Sequence, residues 1–466
     1  MLDAMVKAKR KPAPQSERDD TVPIRQPRRT REHPAAVDRT PLPTPFLFPL
    51  FVWAVYLVIV NASAYVAYRY GESNAPSPPL QTVPPELDGW AAHVVEPLRL
   101  WDGLWYRLIA IEGYDYHDAN AAFWPVLPVS MRWLEQITGL APEIGGYIIA
   151  NASFAVALLL LYRLIAMDFD PRIAKRALWA LALFPTALFF SAVYTESVFL
   201  MFAAGALLSA RIRRWWLAGT LGLLAALTRS YGVFLALPFA VLFIRQYGLY
   251  LRELFPRAIA VAMPALGPLI FGLHLERTQG SWRQFIDVQS QWNRTFAWPW
   301  ETFRCAVEGC TLTVTNKTRT GTEGPWTSRT TSWPVEKADW SWLDQLLDNP
   351  SWTLISSASF RRDFANSDTL ELIATVAFLI LAVIGLKVLP LYQSAYLIPG
   401  LVIPLFSPST VHPLMSMPRF GLTMFPLFVV IAMLLRWRWL RLPVFAASTV
   451  LLILLTMQFA NWYWVS

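Results

Sequence analysis

From Phe46 to Tyr68 the chain runs without a single charged side chain. About 23 residues at 1.5 Å each suffice to cross roughly 30 Å of hydrocarbon. Similar runs recur to the C-terminus. In lipid, backbone N–H and C=O groups find no water, so a spanning segment must pair them internally as a helix or around a closed barrel. The composition agrees: 55% of the residues are hydrophobic and 15% are charged, against about 25% charged in an average soluble chain. This excludes a water-soluble enzyme of ordinary make-up, a disordered protein and a coiled coil. The 36 prolines also exclude a simple bundle of straight helices. The expected fold class is an all-α polytopic membrane protein.

Residues 1–45 are rich in Pro, Arg and Asp and hold few large apolar side chains. Such a stretch buries too little surface to offset its ordering entropy, so it reads as a disordered, basic, cytoplasmic arm. No cleavable signal peptide is visible, because the first long apolar run begins only behind this arm. The membrane domain is expected over 46–466. A first outer loop should occupy 69–144, including the proline-rich piece 76–85, and the next span Gly145–Ala166.

The run 177–210 carries one charge, Glu196. As a single helix it would reach about 51 Å, too long for one crossing. Arg172, Lys175 and Arg176 precede it and Arg211, Arg213 and Arg214 follow it. Basic residues mark cytoplasmic ends, so the run should be a hairpin with Glu196 near its outer tip. The run 215–244, whose one charge is Arg229, reads in the same way. Further spans are expected near 258–275, 369–386, 388–407, 419–435 and 443–463, about eleven in all. The N-terminus then lies inside and a large loop, 276–368, outside.

With that topology the informative polar residues share one side. The outer stretches are WDGLWYRLIAIEGYDYHDANAAFWPVLP at 101–128, the tips FPTALFFSAVYTES at 184–197 and LTRSYG at 227–232, QGSWRQFIDVQSQWNRTFAWPW at 279–300, and MSMPRFGLTMFP at 415–426. Ionisable residues at membrane depth mark functional sites by default. The chemistry that suits them is transfer from a lipid-linked phosphate donor. An arginine at the lipid–water boundary holds the phosphate. The leaving phosphate needs charge stabilisation rather than an acid, and the acceptor hydroxyl needs one carboxylate to take its proton.

Asp102 fits that base, flanked by Trp101, Gly103, Trp105 and Tyr106; it also fits a helix N-cap. Asp115 and Asp118 look like turn residues. Glu196 and Arg229 either serve substrate or pair as a structural bridge between tips. Arg419 either binds phosphate or snorkels to the interface. The aromatics of 282–300 also suit an interfacial belt. Cys305 and Cys310 are placed for one local, structural disulfide. The five histidines show no ligand spacing, so no metal site and no cofactor is expected.

The stretch WDGLWYRLIAIEGY…AFWPVLP resembles the signature of PIG-V type mannosyltransferases, which add the second mannose in GPI-anchor assembly, and of their bacterial relatives. Trp101, Asp102, Trp105, Tyr106, Ile109, Ala110, Gly113, Tyr114, Phe123, Pro125 and Pro128 stand in register, and Trp124 replaces another aromatic. FPTALFFSAVYTESVFL at 184–200, LTRSYG, VQSQWNR at 288–294 and PRF at 418–420 follow in order, although LTRSYG lacks the Pro or Asn expected after its TR, and 301–368 lies outside the resemblance. The resemblance implies a GT-C type glycosyltransferase in a bacterial plasma membrane. It would move a hexose, mannose by analogy, from a polyprenyl-phosphate donor to a lipid or glycan acceptor, without a metal. The role of catalytic base maps onto Asp102; Arg229 and Arg419 are the candidates for binding the donor phosphate, the role of Arg229 being left open by the departure after its TR. Trp101, Trp105, Tyr106, Tyr114, Glu196, Gln289 and Trp292 shape the substrate pocket. No nucleic acid is expected as partner. A lipid-linked sugar flippase and an O-antigen ligase-like transferase are the alternatives; a transporter would show internal pseudo-symmetry with charges at the midplane of both halves, whereas no repeat is apparent here and the polar motifs cluster on one face.

Overall fold

A computed structural model describes residues 46–75, 86–248, 255–319, 326–365 and 368–465. The arm 1–45 and the proline-rich piece 76–85 lie outside the described residues. The protein is mostly helical. In chain order we label α1 Leu47–Tyr70, α2 Asp102–Glu112, α3 Pro142–Asp168, α4 Pro171–Ala182, α5 Glu196–Arg211 and α6 Trp215–Thr228. The later helices are α7 Ser230–Tyr247, α8 Arg257–Gln279, α9 Asp368–Val388, α10 Leu391–Phe406, α11 Met417–Leu422, α12 Phe425–Leu434 and α13 Arg438–Ala460. Among the described residues, six of these (α1, α3, α7, α8, α9 and α13) are long and apolar enough to cross a membrane. The protein is thus a multi-pass membrane protein.

The two long apolar runs are broken where their single charges stand. α4 stops at Ala182 and α5 starts at Glu196, with turns and one 3-10 turn, Ala187–Phe190, between them. Arg211 at the far end of α5 pairs at 3.1 Å with Asp168, just ahead of α4. Both basic ends therefore lie together, opposite Glu196. α6 and α7 break at Arg229 in the same manner. Gln246 near the end of α7 donates to the Ala210 carbonyl at 2.9 Å, and the Arg213 guanidinium lies 5.6 Å from the Tyr247 ring. At this second tip a Cβ on Gly232 would sit 2.6 Å from the backbone of Ala225 and Ala226, so only glycine lets the chain turn so closely.

A third hairpin runs from α10 to α12. Gln393 at its start donates to Asp168 at 2.9 Å, and the Leu435 carbonyl at its end accepts from Arg176 at 3.5 Å. Both ends thus join the basic end, while 407–424, with Arg419, returns to the other. Small residues let these helices approach, as lipid-embedded packing requires. A Cβ on Gly219 of α6 would meet the Ala260 carbonyl of α8 at 2.7 Å, and one on Gly267 would meet the Ala226 Cβ at 2.6 Å.

One element departs from the all-α expectation. Within 276–368, β1 Cys310–Arg319 pairs antiparallel with β2 Trp326–Val335 in the register Cys310↔Val335 and Val314↔Thr331. The alternation was present in T-L-T-V-T: Leu312 and Val314 are buried, while Thr313 and Thr315 face out and meet Ser332 and Thr330 at 3.1 and 3.0 Å. The Cys305–Cys310 disulfide ties this ribbon to the helix Pro299–Glu308.

Candidate active site

The site begins with a backbone distortion. Trp101 adopts φ 58° immediately ahead of α2, a conformation costly for a bulky L-residue and held only when its surroundings over-determine it. Its ring is fixed between Trp462 and Trp464, at 5.6 and 5.3 Å. This kink sets Asp102 as the first residue of α2, and its carboxylate does not cap the helix. Asp102 Oδ2 instead accepts from Arg419 Nη1 at 2.6 Å, while the Asp102 N–H donates to the Tyr194 hydroxyl at 3.1 Å. Oδ1 has no hydrogen-bond partner among the described residues. Gly103 is not a point of forced approach, since a Cβ there would meet Val193 at an ordinary 3.5 Å.

Arg419 is buried and bonded, so it does not snorkel. Its Nε donates to Glu196 Oε1, and its guanidinium plane covers Tyr194 and Phe189 at 4.5 and 5.1 Å. Glu196 is completely buried and accepts from Arg229 Nη1 with the same oxygen. Arg229 also donates to Thr195 Oγ1 at 3.2 Å and lies 5.2 Å from the Tyr231 ring. The structural bridge between Glu196 and Arg229 is present, and it extends through Arg419 to Asp102. Two carboxylates and two guanidinium groups thereby form a neutral quartet. Such charges stay buried only because each is paired.

A cavity of about 620 Å³ opens beside the quartet, and Asp102, Tyr106, Arg229, Gln289, Trp292 and Arg419 are on its wall. Glu196 lies behind the arginines. Trp105 backs the wall, stacked on Phe123 at 5.7 Å and edge-on to Trp292 at 5.9 Å. Tyr114 is buried, donating to the Phe123 carbonyl at 2.8 Å. Trp101, Trp105 and Tyr114 are therefore off the wall of this cavity.

The sequence reading passed over Arg294, which also lines the cavity. Its Nη1 and Nη2 donate to the carbonyls of Ser407 and Met415 at 2.8 and 3.2 Å. Among the described residues it forms no ion pair with a carboxylate. Burial pushes its guanidinium down to about 10, against the pull of the nearby Glu371 carboxylate, so it stays charged at neutral pH. A third cation thus faces the cavity beside a neutral quartet, which suits an anionic ligand. The signal was its place in VQSQWNR, but only the fold brings it beside Arg419.

Nearby, Asp368, Glu371 and His412 hold potential metal-ligand atoms within 4.8 Å of one another. Sequence spacing does not show this trio, since His412 stands 44 and 41 residues after Asp368 and Glu371. His412 Nδ1 is hydrogen-bonded to Asp368 at 2.6 Å and Glu371 accepts the Ser416 N–H at 3.1 Å. These contacts tie the loop ahead of Arg419 to α9.

Helices broken at buried charges, which gather beside a cavity, define a multi-pass membrane protein. Residues 47–262 match the family model described as Mannosyltransferase (PIG-V), which bears out the resemblance carried by the WDGLWY loop. Over 150 residues the chain is 34% identical to "GPI mannosyltransferase 2" of Cryptococcus neoformans var. neoformans serotype D, strains JEC21 and B-3501A. That alignment covers 30% of this chain and 35% of each relative, so the chain spans about a third of the length of the curated relatives it matches. No solved structure matches. The family match contains Asp102, Glu196 and Arg229 and ends before Arg294 and Arg419.

Proposed function

We propose that this chain is an integral-membrane GT-C type glycosyltransferase that moves mannose from a polyprenyl-phosphate donor to an acceptor hydroxyl. The family match supports the sugar and the reaction class. The observation that carries the mechanism is the Asp102 carboxylate on a cavity wall shared with Arg229, Arg294 and Arg419. The acceptor oxygen attacks C1 of the donor sugar from the face opposite the phosphate, and the C1–O bond to phosphate breaks. The acceptor proton passes to Asp102 Oδ1. The polyprenyl phosphate leaves as an anion, and the anomeric configuration inverts. Arg419 Nη1 orients the carboxylate through Oδ2. Arg294 and the outer faces of Arg229 and Arg419 stabilise the charge on the leaving phosphate. Tyr106, Gln289 and Trp292 contact the substrates within the cavity. No step needs a metal in this scheme.

In the same reading the chain crosses the membrane about eleven times, since the six arms of the three hairpins add to the five long helices outside them, α1, α3, α8, α9 and α13. The basic end is cytoplasmic by the distribution of Lys and Arg, so the arm 1–45 lies inside and the cavity opens outside. The segment 276–368 would then be an extracytoplasmic region that sets acceptor choice.

The test is mannosyl transfer from polyprenyl-phosphomannose in membranes carrying Asp102→Asn. The expected loss is about 10²–10⁴-fold, as for removal of a general base. Full activity in this variant removes Asp102 from the role of base. Movement of the lipid-linked sugar with no glycosidic product would favour a flippase, and preference for a diphosphate donor would favour a ligase-like enzyme.

A further inference from the structure

At the end of the helices remote from the cavity, a second notch of about 710 Å³ opens between the start of α1, α4 and the α12–α13 turn. Arg172, Lys175, Arg176, Arg436 and Arg441 stand around it. Among the described residues none of the five forms an ion pair with a carboxylate. Their polar groups are held in other ways. The Lys175 ammonium lies 5.2 Å from the Phe48 ring, the Arg436 guanidinium 4.2 Å from Trp437, and Arg176 donates to the carbonyls of Arg172 and Leu435 at 3.1 and 3.5 Å. The near carboxylate is Asp170, which accepts the Arg172 N–H at 2.6 Å. At the same end of the molecule Arg211 is neutralised by Asp168, whereas the five cations gathered around the notch have no such partner among the described residues.

Below the cations the surface is apolar. Phe48, Trp179, Leu442 and Phe445 line the notch, Phe51 beside them meets Trp179 at 6.0 Å, and Phe51 and Leu442 are more than half exposed. A ligand that fills this shape has an anionic head and hydrocarbon tails running down the outside of α1 and α13. We infer that the notch binds an anionic phospholipid, and that five cations against one carboxylate favour a headgroup with two phosphates over one with a single phosphodiester. The physical basis is the attraction of basic pockets between membrane helices for anionic headgroups, strengthened by the low dielectric beneath them. This site is independent of the transfer reaction.

Native mass spectrometry of the full-length protein, exchanged into zwitterionic phosphatidylcholine and titrated with cardiolipin, tests it. One cardiolipin should be retained, phosphatidylglycerol should bind more weakly, and inorganic phosphate should not displace either. The combined variant Arg172→Gln, Lys175→Gln and Arg441→Gln should lose affinity on the order of 100-fold, from about 1 kcal/mol per cation. A charge-matched control at the same end but away from the notch, Arg213→Gln with Arg214→Gln and Arg245→Gln, should bind as the parent does. Equal loss in the control would mean diffuse attraction and overturn the assignment. So would unchanged binding in the notch variant, equal retention of phosphatidylcholine, or displacement by phosphate alone. Absence of any retained lipid would also overturn it. Thermal melting of each variant separates lost binding from lost folding.

Discussion

The four charges of the quartet are placed so that none of them can be removed cheaply. Glu196 accepts from both Arg229 and Arg419 while fully buried. Glu196→Gln leaves two buried guanidinium groups sharing a neutral partner, and breaking a buried pair in this way costs about 3–5 kcal/mol. The expected outcome is a lower melting temperature together with lost transfer, read by thermal melting and activity on the same preparation. Arg294 is different, because carbonyls hold it and no carboxylate is paired with it among the described residues. Arg294→Gln should leave the fold intact and raise the KM for the lipid-phosphate donor by about tenfold, the loss of one charge-assisted contact of about 1.5 kcal/mol. An unchanged KM would remove Arg294 from the donor site. At this scale Asp102, Arg229 and Arg419 were legible as isolated charges in apolar surroundings. Arg294 was not, because an arginine in a polar outer stretch looks like any other.

The elements matter here through their interruptions. Each hairpin tip replaces a stretch of helix with irregular backbone, and that irregularity is tolerated because it lines a cavity rather than facing lipid. The turn after Arg229 depends on Gly232. Gly232→Ala would push a methyl into the backbone of Ala225 and Ala226, with an expected cost of about 1–3 kcal/mol as overpacking, seen as a lower melting temperature and displaced Arg229. The loop that carries Ser416 and leads into Arg419 is tethered through His412. Burial disfavours the charged imidazole, but the hydrogen bond to Asp368 and the charge of Glu371 outweigh it, so its pKa is raised above 6.5. A raised folded-state pKa gives stability that is complete below pH 6.5 and is lost as pH climbs through the folded value. The melting temperature of the parent should therefore approach that of His412→Gln above this range and exceed it below. A constant difference across pH would show that the ion pair contributes nothing. The strands Cys310–Arg319 and Trp326–Val335 were not legible in the sequence, because a short period-2 pattern carries little weight beside long apolar runs of helical length.

For the whole molecule, the arrangement separates two charged regions, a cavity at one end of the helices and a basic notch at the other. The proposed orientation rests on that separation. Single cysteines placed at Lys387 and at Trp298, in a background with Cys305 and Cys310 replaced by serine, should label from opposite sides of sealed membranes, with Trp298 accessible from outside. Labelling of both from one side would dismantle the proposed topology and, with it, access of an outer-leaflet donor to Asp102. What the sequence by itself determined was the membrane class, the positions where helices must break, and the family signature of the first polar loop. These are local properties, set by the length of apolar runs, the sites of Lys and Arg, and a contiguous motif. Tertiary structure alone decided that Arg419, 317 residues from Asp102, would be its ion-pair partner, that Trp101 would wedge against the C-terminal tryptophans, and that Arg294 would face the same cavity. Buried charges choose partners by distance in space, because an opposite charge or polar group in direct contact must offset the loss of water, and sequence separation places no bound on that distance.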